Sequence, residues 1–317
     1  MVHAGSRISR SDKYYWHRYT EVYEPLFARL PDPKLIVELG IFRGDSMAWL
    51  AEQFPRADLV GVDILAAQPD WPASRRIRYV QADQGDRLAI AEMFANLPGP
   101  PGLILEDGSH IPRHQVNCLV EGFARLRPGG LYVLEDICTS HPMTDAFSHY
   151  SRSDGEQLPN ALHVLLALQH LRDTNATLTP CLAARLSSER FFAASEIRTL
   201  FGSIAEIQLH KRTKLPLRCY GCGGSTFDYV RWRCECGVDL YHPTNSMTCL
   251  IWKAGGPASI GGPVFRRLRE WRRLPAWPRL REWITPGPGR TADQTNPAIE
   301  PLRRWHQSGN ETSTQNR

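Results

Sequence analysis

No stretch of this sequence stays apolar for the ~20 residues that crossing a bilayer as a helix requires. The longest apolar candidate, Ala161–Leu168, is short and carries His163. Met1 to Lys13 has no apolar core of the kind a secretory leader needs, so a cytoplasmic protein is expected. The charge surplus is small, at +5 over 317 residues, which does not mark a nucleic-acid binder. The G-x-G-x-x-G spacing of dinucleotide sites is also missing after the first apolar strand, which argues against a nicotinamide cofactor.

What is present begins with 42% hydrophobic residues, enough for one sizeable core and a small appendage. The eight cysteines are expected to be reduced thiols or metal ligands, since disulfides are rare in the cytoplasm. Residues 11–30 are aromatic-rich and partly helical in period. After them, short apolar runs alternate with helical patterns. Strands are predicted over Leu35–Leu39, Leu59–Ile64, Ile77–Gln81, Leu103–Leu105 and Leu131–Leu134. Helices are predicted over Asp45–Phe54, up to Asn96, and over Pro112–Leu126. Such alternation means a parallel sheet covered on both faces. Helices over Leu158–Leu171 and Glu189–Phe201 follow, and Ile204–Leu209 with Thr248–Trp252 read as a last antiparallel pair.

Ligands of open α/β sheets sit beyond the carboxyl ends of the strands. In this chain those ends read Glu38-Leu39-Gly40, Asp63, Asp83-Gln84, Glu106-Asp107 and Glu135-Asp136. Like charges gathered on one edge repel, so a ligand that needs them is the better explanation. Gly40 and Gly44, in the turn that leads to Ser46, let the backbone come close to a nucleoside. Asp63 can accept ribose hydroxyls, and Asp83 with Gln84 can meet an adenine edge.

These pieces resemble class I S-adenosylmethionine-dependent methyltransferases. More narrowly, they resemble the Mg-dependent sugar O-methyltransferases of macrolide biosynthesis and their bacterial relatives. The resemblance rests on Ser11-Asp12-Lys13, His17-Arg18-Tyr19-Thr20-Glu21-Val22-Tyr23, Val37-Glu38-Leu39-Gly40 and Val60-Gly61-Val62-Asp63-Ile64. It is most specific at Glu106-Asp107-Gly108-Ser109-His110-Ile111 and at Pro128-Gly129-Gly130-Leu131-Tyr132-Val133-Leu134-Glu135-Asp136, and covers roughly residues 11–140. It implies a Rossmann-like sheet, S-adenosylmethionine near Glu38, Gly40, Gly44, Ser46, Asp63, Asp83 and Gln84, and Mg²⁺ on Asp107, Glu135 and Asp136. It also implies His110 as general base. The chemistry is coherent: a hydroxyl is a poor nucleophile until a cation polarises it and a base takes its proton. His17, Tyr19 and His141 are candidate substrate residues.

Cys219-x-x-Cys222 and Cys234-x-Cys236, flanked by Gly223, Gly224 and Gly237, resemble a zinc ribbon, with His242 as a substitute ligand. Cys118, Cys138, Cys181 and Cys249 read as small core residues. From 264 to 283, seven arginines and three tryptophans interleave and LREW occurs twice. That stretch suits a membrane surface, an anionic polymer or simple docking on the main domain. Residues 285–317 have the composition of a disordered tail.

The expected organisation is therefore a helical substrate and cofactor cap (1–34), a Rossmann-like core (35–212) and a cysteine-rich, zinc-ribbon-like insertion (213–246). A last core strand (247–254) and a basic tail (255–317) complete it. The expected activity is O-methylation of a sugar hydroxyl on a small molecule or glycan, with homo-oligomerisation left open. A nucleic-acid methyltransferase and a non-catalytic binding protein on this fold are the competing readings.

Overall fold

The computed structural model describes residues 7–141, 159–242 and 246–255. Among them, no helix is long and apolar enough to cross a membrane. The arginine–tryptophan stretch 264–283 and residues 285–317 lie outside the described residues.

Five parallel strands carry the fold: β1 (Leu35–Leu39), β2 (Asp58–Asp63), β3 (Ile77–Gln81), β4 (Leu103–Glu106) and β5 (Leu131–Leu134). The edge strand β3 is partly exposed, while β1, β4 and β5 are nearly continuous Leu, Ile and Val and are buried along their whole length. This is the pattern of strands covered on both faces. Two antiparallel strands, β6 (Ile204–Lys211) and β9 (Met247–Lys253), extend the sheet beyond β5. The order is β3-β2-β1-β4-β5-β9-β6. The chain winds one way from β1 and the other way from β4, so a crevice opens where β1 and β4 part.

Helices fill the two faces. On one lie α4 (Arg87–Ala95), α5 (Pro112–Arg125), α6 (Ala161–Asp173) and α8 (Ala194–Ser203), with Ile90, Phe94, Leu119, Phe123, Leu165 and Leu200 in the core. On the other lie α2 (Thr20–Phe27) and α3 (Asp45–Gln53), with Tyr19, Tyr23, Phe27, Trp49 and Leu50. Two polar residues of α5 are buried because they hold loops: Gln115 donates to the Glu135 carbonyl (2.9 Å) and Asn117 to the Gln84 carbonyl (3.0 Å).

Two expectations need correction. The helix expected from Glu189 begins only at Ala194, because Phe191 and Phe192 are buried in extended chain and Glu196 caps the Ala193 amide (2.8 Å). A separate helix, α7 (Pro180–Leu186), was not anticipated; its signal is Thr179 as N-cap followed by Pro180 in the first turn. Cys181 lies on that short helix and is exposed, so it is not a core residue; Cys118, Cys138 and Cys249 are buried as expected.

Gly40 ends β1 with φ +89°, and a Cβ there would overlap the Asp107 carbonyl. The backbones of the two strand ends touch at this point. Gly40→Ala is expected to cost about 3 kcal/mol or more. A denaturant midpoint that reports under about 1 kcal/mol would show that the contact relaxes.

Candidate active site

The segment before β1 folds back over the carboxyl edge of the sheet. A one-turn helix, α1 (Asp12–Tyr15), places Lys13 there at 3% exposure. Its ammonium bonds the carboxylates of Asp107 and of Glu135 (2.8 Å) and lies 4.0 Å from Glu38. Charge from these acids outweighs the burial that would discharge the amine, so its pKa is held well above the ordinary lysine value.

Asp107, His110 and Asp136 converge from two loops, and one ligand atom from each lies within 4.8 Å of the others. His110 Nε2 is 3.8 Å from Asp107 and 4.0 Å from Asp136. Both His110 (φ +57°) and Asp136 (φ +49°) sit in the left-handed region, where L side chains are strained. Such strain persists only where the surroundings impose it. Here Thr139 donates to the His110 carbonyl (2.7 Å), and Tyr19, fully buried, donates to Asp136 (2.6 Å). Burial would raise Asp136, but His17, His110 and the Tyr19 hydroxyl hold it below its usual value. Burial would lower His110, but Asp136, Asp107 and Glu106 outweigh it and raise the imidazole.

Glu135 does not point at that trio. It turns to Lys13, and its other oxygen is buried without a hydrogen bond among the described residues. Burial, then Asp107, pushes it well above the usual carboxylate range despite Lys13. Burial likewise raises Glu38 and Glu106 to about 7. Four carboxylates (Glu38, Asp107, Glu135 and Asp136) thus surround one lysine at this edge, and a fifth, Glu106, stands beside Asp107 and His110. That donor set, with an orphaned carboxylate oxygen in it, fits a hard divalent cation.

Two pockets share Lys13 and Asp107 as a common wall. One is lined by Glu38, Gly40, Ser46 and Ser11. The other is lined by His17, His110, Glu135 and Asp136. Phe42 belongs to both and is 80% exposed, which leaves an apolar face at the rim. Ser46 bonds Glu38, and the N-cap Gly44 (φ +70°) packs on Pro72. Asp63 accepts the amides of Ile41 (2.8 Å) and Leu65 (2.9 Å), which fixes it beside the β1 turn. Ile64 and Leu65, the next residues, are exposed. Asp83 closes a turn on the Gly85 amide (2.7 Å). Gln84 bridges Glu106 (3.0 Å) and the Ser109 amide (2.8 Å), so its amide group steadies the loop that carries Asp107 and His110. His17 bonds Ser246 (2.9 Å) and stacks on Tyr19. His141 stands apart at the end of a 3-10 turn. Burial, then His163, Lys211 and His242, lowers its pKa.

Lys13 is the residue that sequence reasoning left without a role. Its signal was the Ser11-Asp12-Lys13 motif, five residues before the Tyr19–Tyr23 aromatic run.

The fold has a counterpart among known proteins. Residues 37–137 match the model of a methyltransferase domain family. The sheet around them also matches a solved methyltransferase, MycE of the mycinamycin biosynthetic pathway in complex with Mg, SAH and mycinamycin VI. That match has TM-score 0.51 and 20% identity over 81% of this chain and 55% of the other. At that identity the match shows the fold. Over 139 residues the chain is 37% identical to 8-demethyl-8-alpha-L-rhamnosyl tetracenomycin-C 2'-O-methyltransferase of Streptomyces olivaceus, covering 41% of this chain and 36% of the relative. Over 133 residues it is 31% identical to mycinamicin VI 2''-O-methyltransferase of Micromonospora griseorubida, covering 39% and 33%. The chain spans less than half the length of these curated relatives.

The four cysteines of the insertion also come together. The Sγ atoms of Cys219, Cys222, Cys234 and Cys236 all lie within 4.8 Å of one another, and His242 is not among them.

Proposed function

We propose that this protein is an S-adenosylmethionine-dependent O-methyltransferase whose acceptor is a sugar hydroxyl on a small molecule, such as a glycosylated natural product. The observation that carries the reading is the convergence of Asp107, His110 and Asp136 beside a second pocket that contains the β1 turn. The sugar O-methyltransferases to which the domain is similar support the acceptor class.

In this reading Asp107 and Asp136 hold a divalent cation, with Glu135 behind them as a third carboxylate. The bound cation lowers the pKa of the acceptor hydroxyl, and S-adenosylmethionine supplies the methyl group as an electrophile. His110 Nε2 receives the hydroxyl proton. Asp136 and Asp107, within 4.0 Å, stabilise the imidazolium that results. Tyr19 and His17 hold Asp136 in place from behind. On the other side of Lys13, Glu38, Gly40 and Ser46 form the cofactor wall, Asp63 faces the ribose, and the exposed Ile64 and Leu65 offer a surface for the base. Phe42 covers the junction of the two pockets. A zinc ion on Cys219, Cys222, Cys234 and Cys236 has no open position in this reading, so its part is structural.

Transfer of a labelled methyl group from S-adenosylmethionine to a panel of glycosides, read by mass spectrometry, tests the reaction. The signal is expected to require Mg²⁺ and to vanish in EDTA. Transfer that is unchanged by EDTA would remove the cation from the reaction. Labelling of nucleic acid but of no glycoside would overturn the acceptor class.

A further inference from the structure

We infer that the four-cysteine knuckle is a zinc-dependent clamp: it holds the N-terminal segment in place and so keeps Lys13, His17 and Tyr19 on the acid cluster. The part of this inference that concerns turnover rests on the methyl-transfer reading above; the part that concerns the clamp does not.

The cysteine geometry suits a metal. The closest pairs, Cys219–Cys236 (3.5 Å) and Cys222–Cys234 (3.4 Å), are too far apart for the ~2.05 Å of a disulfide. A tetrahedral site with Zn–S near 2.3 Å has sulfurs about 3.8 Å apart, close to what is seen. The Gly221 and Gly224 amides donate to Cys219 and Cys222 (3.3 and 3.4 Å), bonds that favour thiolates. Gly223 and Gly237 take left-handed φ where the knuckles turn. Among the described residues, the regular structure around the sulfurs is a short hairpin, β7 (Phe227–Asp228) with β8 (Arg233–Cys234), and one isolated bridge from Arg233 to Asp239; an isolated hairpin of that size is not stable in water. Metal binding is therefore folding energy for this element.

The knuckle grips one thing in particular. Trp16 is 6% exposed and packs on Cys219, Cys234 and Leu240 in a cluster separate from the two main cores. Arg212, 2% exposed, lies over the Trp16 ring (4.8 Å) and donates to the carbonyls of Trp16 (2.8 Å) and Leu240 (2.6 Å). Leu217 donates to the Tyr15 carbonyl (2.7 Å), and Arg218 to that of Ser9 (2.6 Å). Trp16 lies three residues after Lys13 and immediately before His17. Without the metal, the apolar face that receives Trp16 has no fixed shape. The segment that carries the ammonium of Lys13 and the hydroxyl of Tyr19 then loses its anchor.

The test uses the full chain in three forms: wild type, Cys222→Ser/Cys236→Ser, which alters only the two exposed cysteines of the knuckle, and Trp16→Ala. Zinc is measured by elemental mass spectrometry, backbone protection by hydrogen exchange and turnover by methyl transfer. Wild type is expected to carry about one zinc per chain. The cysteine variant should carry none, exchange amides of residues 11–19 at least about tenfold faster and lose at least about tenfold in turnover, with β1 and β4 still protected. Trp16→Ala should keep its zinc yet show the same exchange and turnover changes, and it serves alone if the cysteine variant does not fold. Zinc-free wild type with two disulfides would overturn the metal. Unchanged exchange at 11–19 in the variants would overturn the clamp. Faster exchange in both variants, with no methyl transfer by wild type, would uphold the clamp and sink the methyl-transfer reading.

Discussion

His110→Asn is expected to lower turnover by about 10²- to 10⁴-fold, with cofactor affinity changed by no more than about threefold. Asparagine is the informative replacement because it tolerates the left-handed backbone that His110 adopts at φ +57°. The variant should therefore fold, and it lacks only the proton acceptor. The wild-type rate should rise with pH through and above the ordinary histidine range. The reason is the sign of the shift: Asp136, Asp107 and Glu106 outweigh burial and keep the imidazole protonated to higher pH than usual, so the base form appears late. Turnover near wild type in His110→Asn, or a rate that falls across that range, would rule out His110 as the base.

The second large effect concerns Lys13. Lys13→Met keeps most of the unbranched side chain and deletes its charge, which leaves Glu135, 1% exposed, without its counter-ion. Removal of one partner of a buried pair costs about 3–5 kcal/mol. The loss should depend on pH. Glu135 is raised above its unfolded value, so it takes up a proton as pH falls and then needs no counter-charge. Lys13 is raised above the ordinary lysine value, so its ammonium is charged throughout the neutral range and its own contribution fades only in strong alkali. The full cost is thus expected near pH 8 and a smaller one near pH 5. Millimolar Mg²⁺ should recover part of the loss at pH 8, because a divalent cation replaces the missing positive charge. Urea titrations at both pH values, with and without Mg²⁺, measure this. An equal loss at pH 5 and pH 8 would mean that Lys13 acts through packing alone.

Much of the frame was legible in the chain. The inner strands β1, β4 and β5 read directly because they are buried on both faces and therefore continuously apolar. Their acidic ends read as a site because the carboxyl edge of such a sheet is where ligands sit. Helix starts were harder. The onset of α8 and the whole of α7 depend on caps and on the burial of Phe191 and Phe192, and hydrophobic period does not report these. The exposure of Cys181 escaped for the same reason: a thiol has little to say about which face of a short helix it occupies.

The sequence alone determined the fold class and the acidic edge, with Asp107, His110, Glu135 and Asp136 in two neighbouring strand-end loops, because strand-end positions and loop spacing are local. It also grouped the four cysteines of the insertion, with His242 as a substitute ligand. The tertiary structure decided the rest. It gave Glu135 and Asp136 different partners, Lys13 for the first and Tyr19 for the second, although the two are adjacent in the chain and line the same pocket. It turned Gln84 toward Glu106 and Ser109. It brought Trp16 onto Cys219, more than two hundred residues away in the chain, through the buried guanidinium of Arg212. Such contacts have no period and no motif. They arise only when the sheet has closed and buried charges must find partners, and at this edge the partners come from the two ends of the described chain.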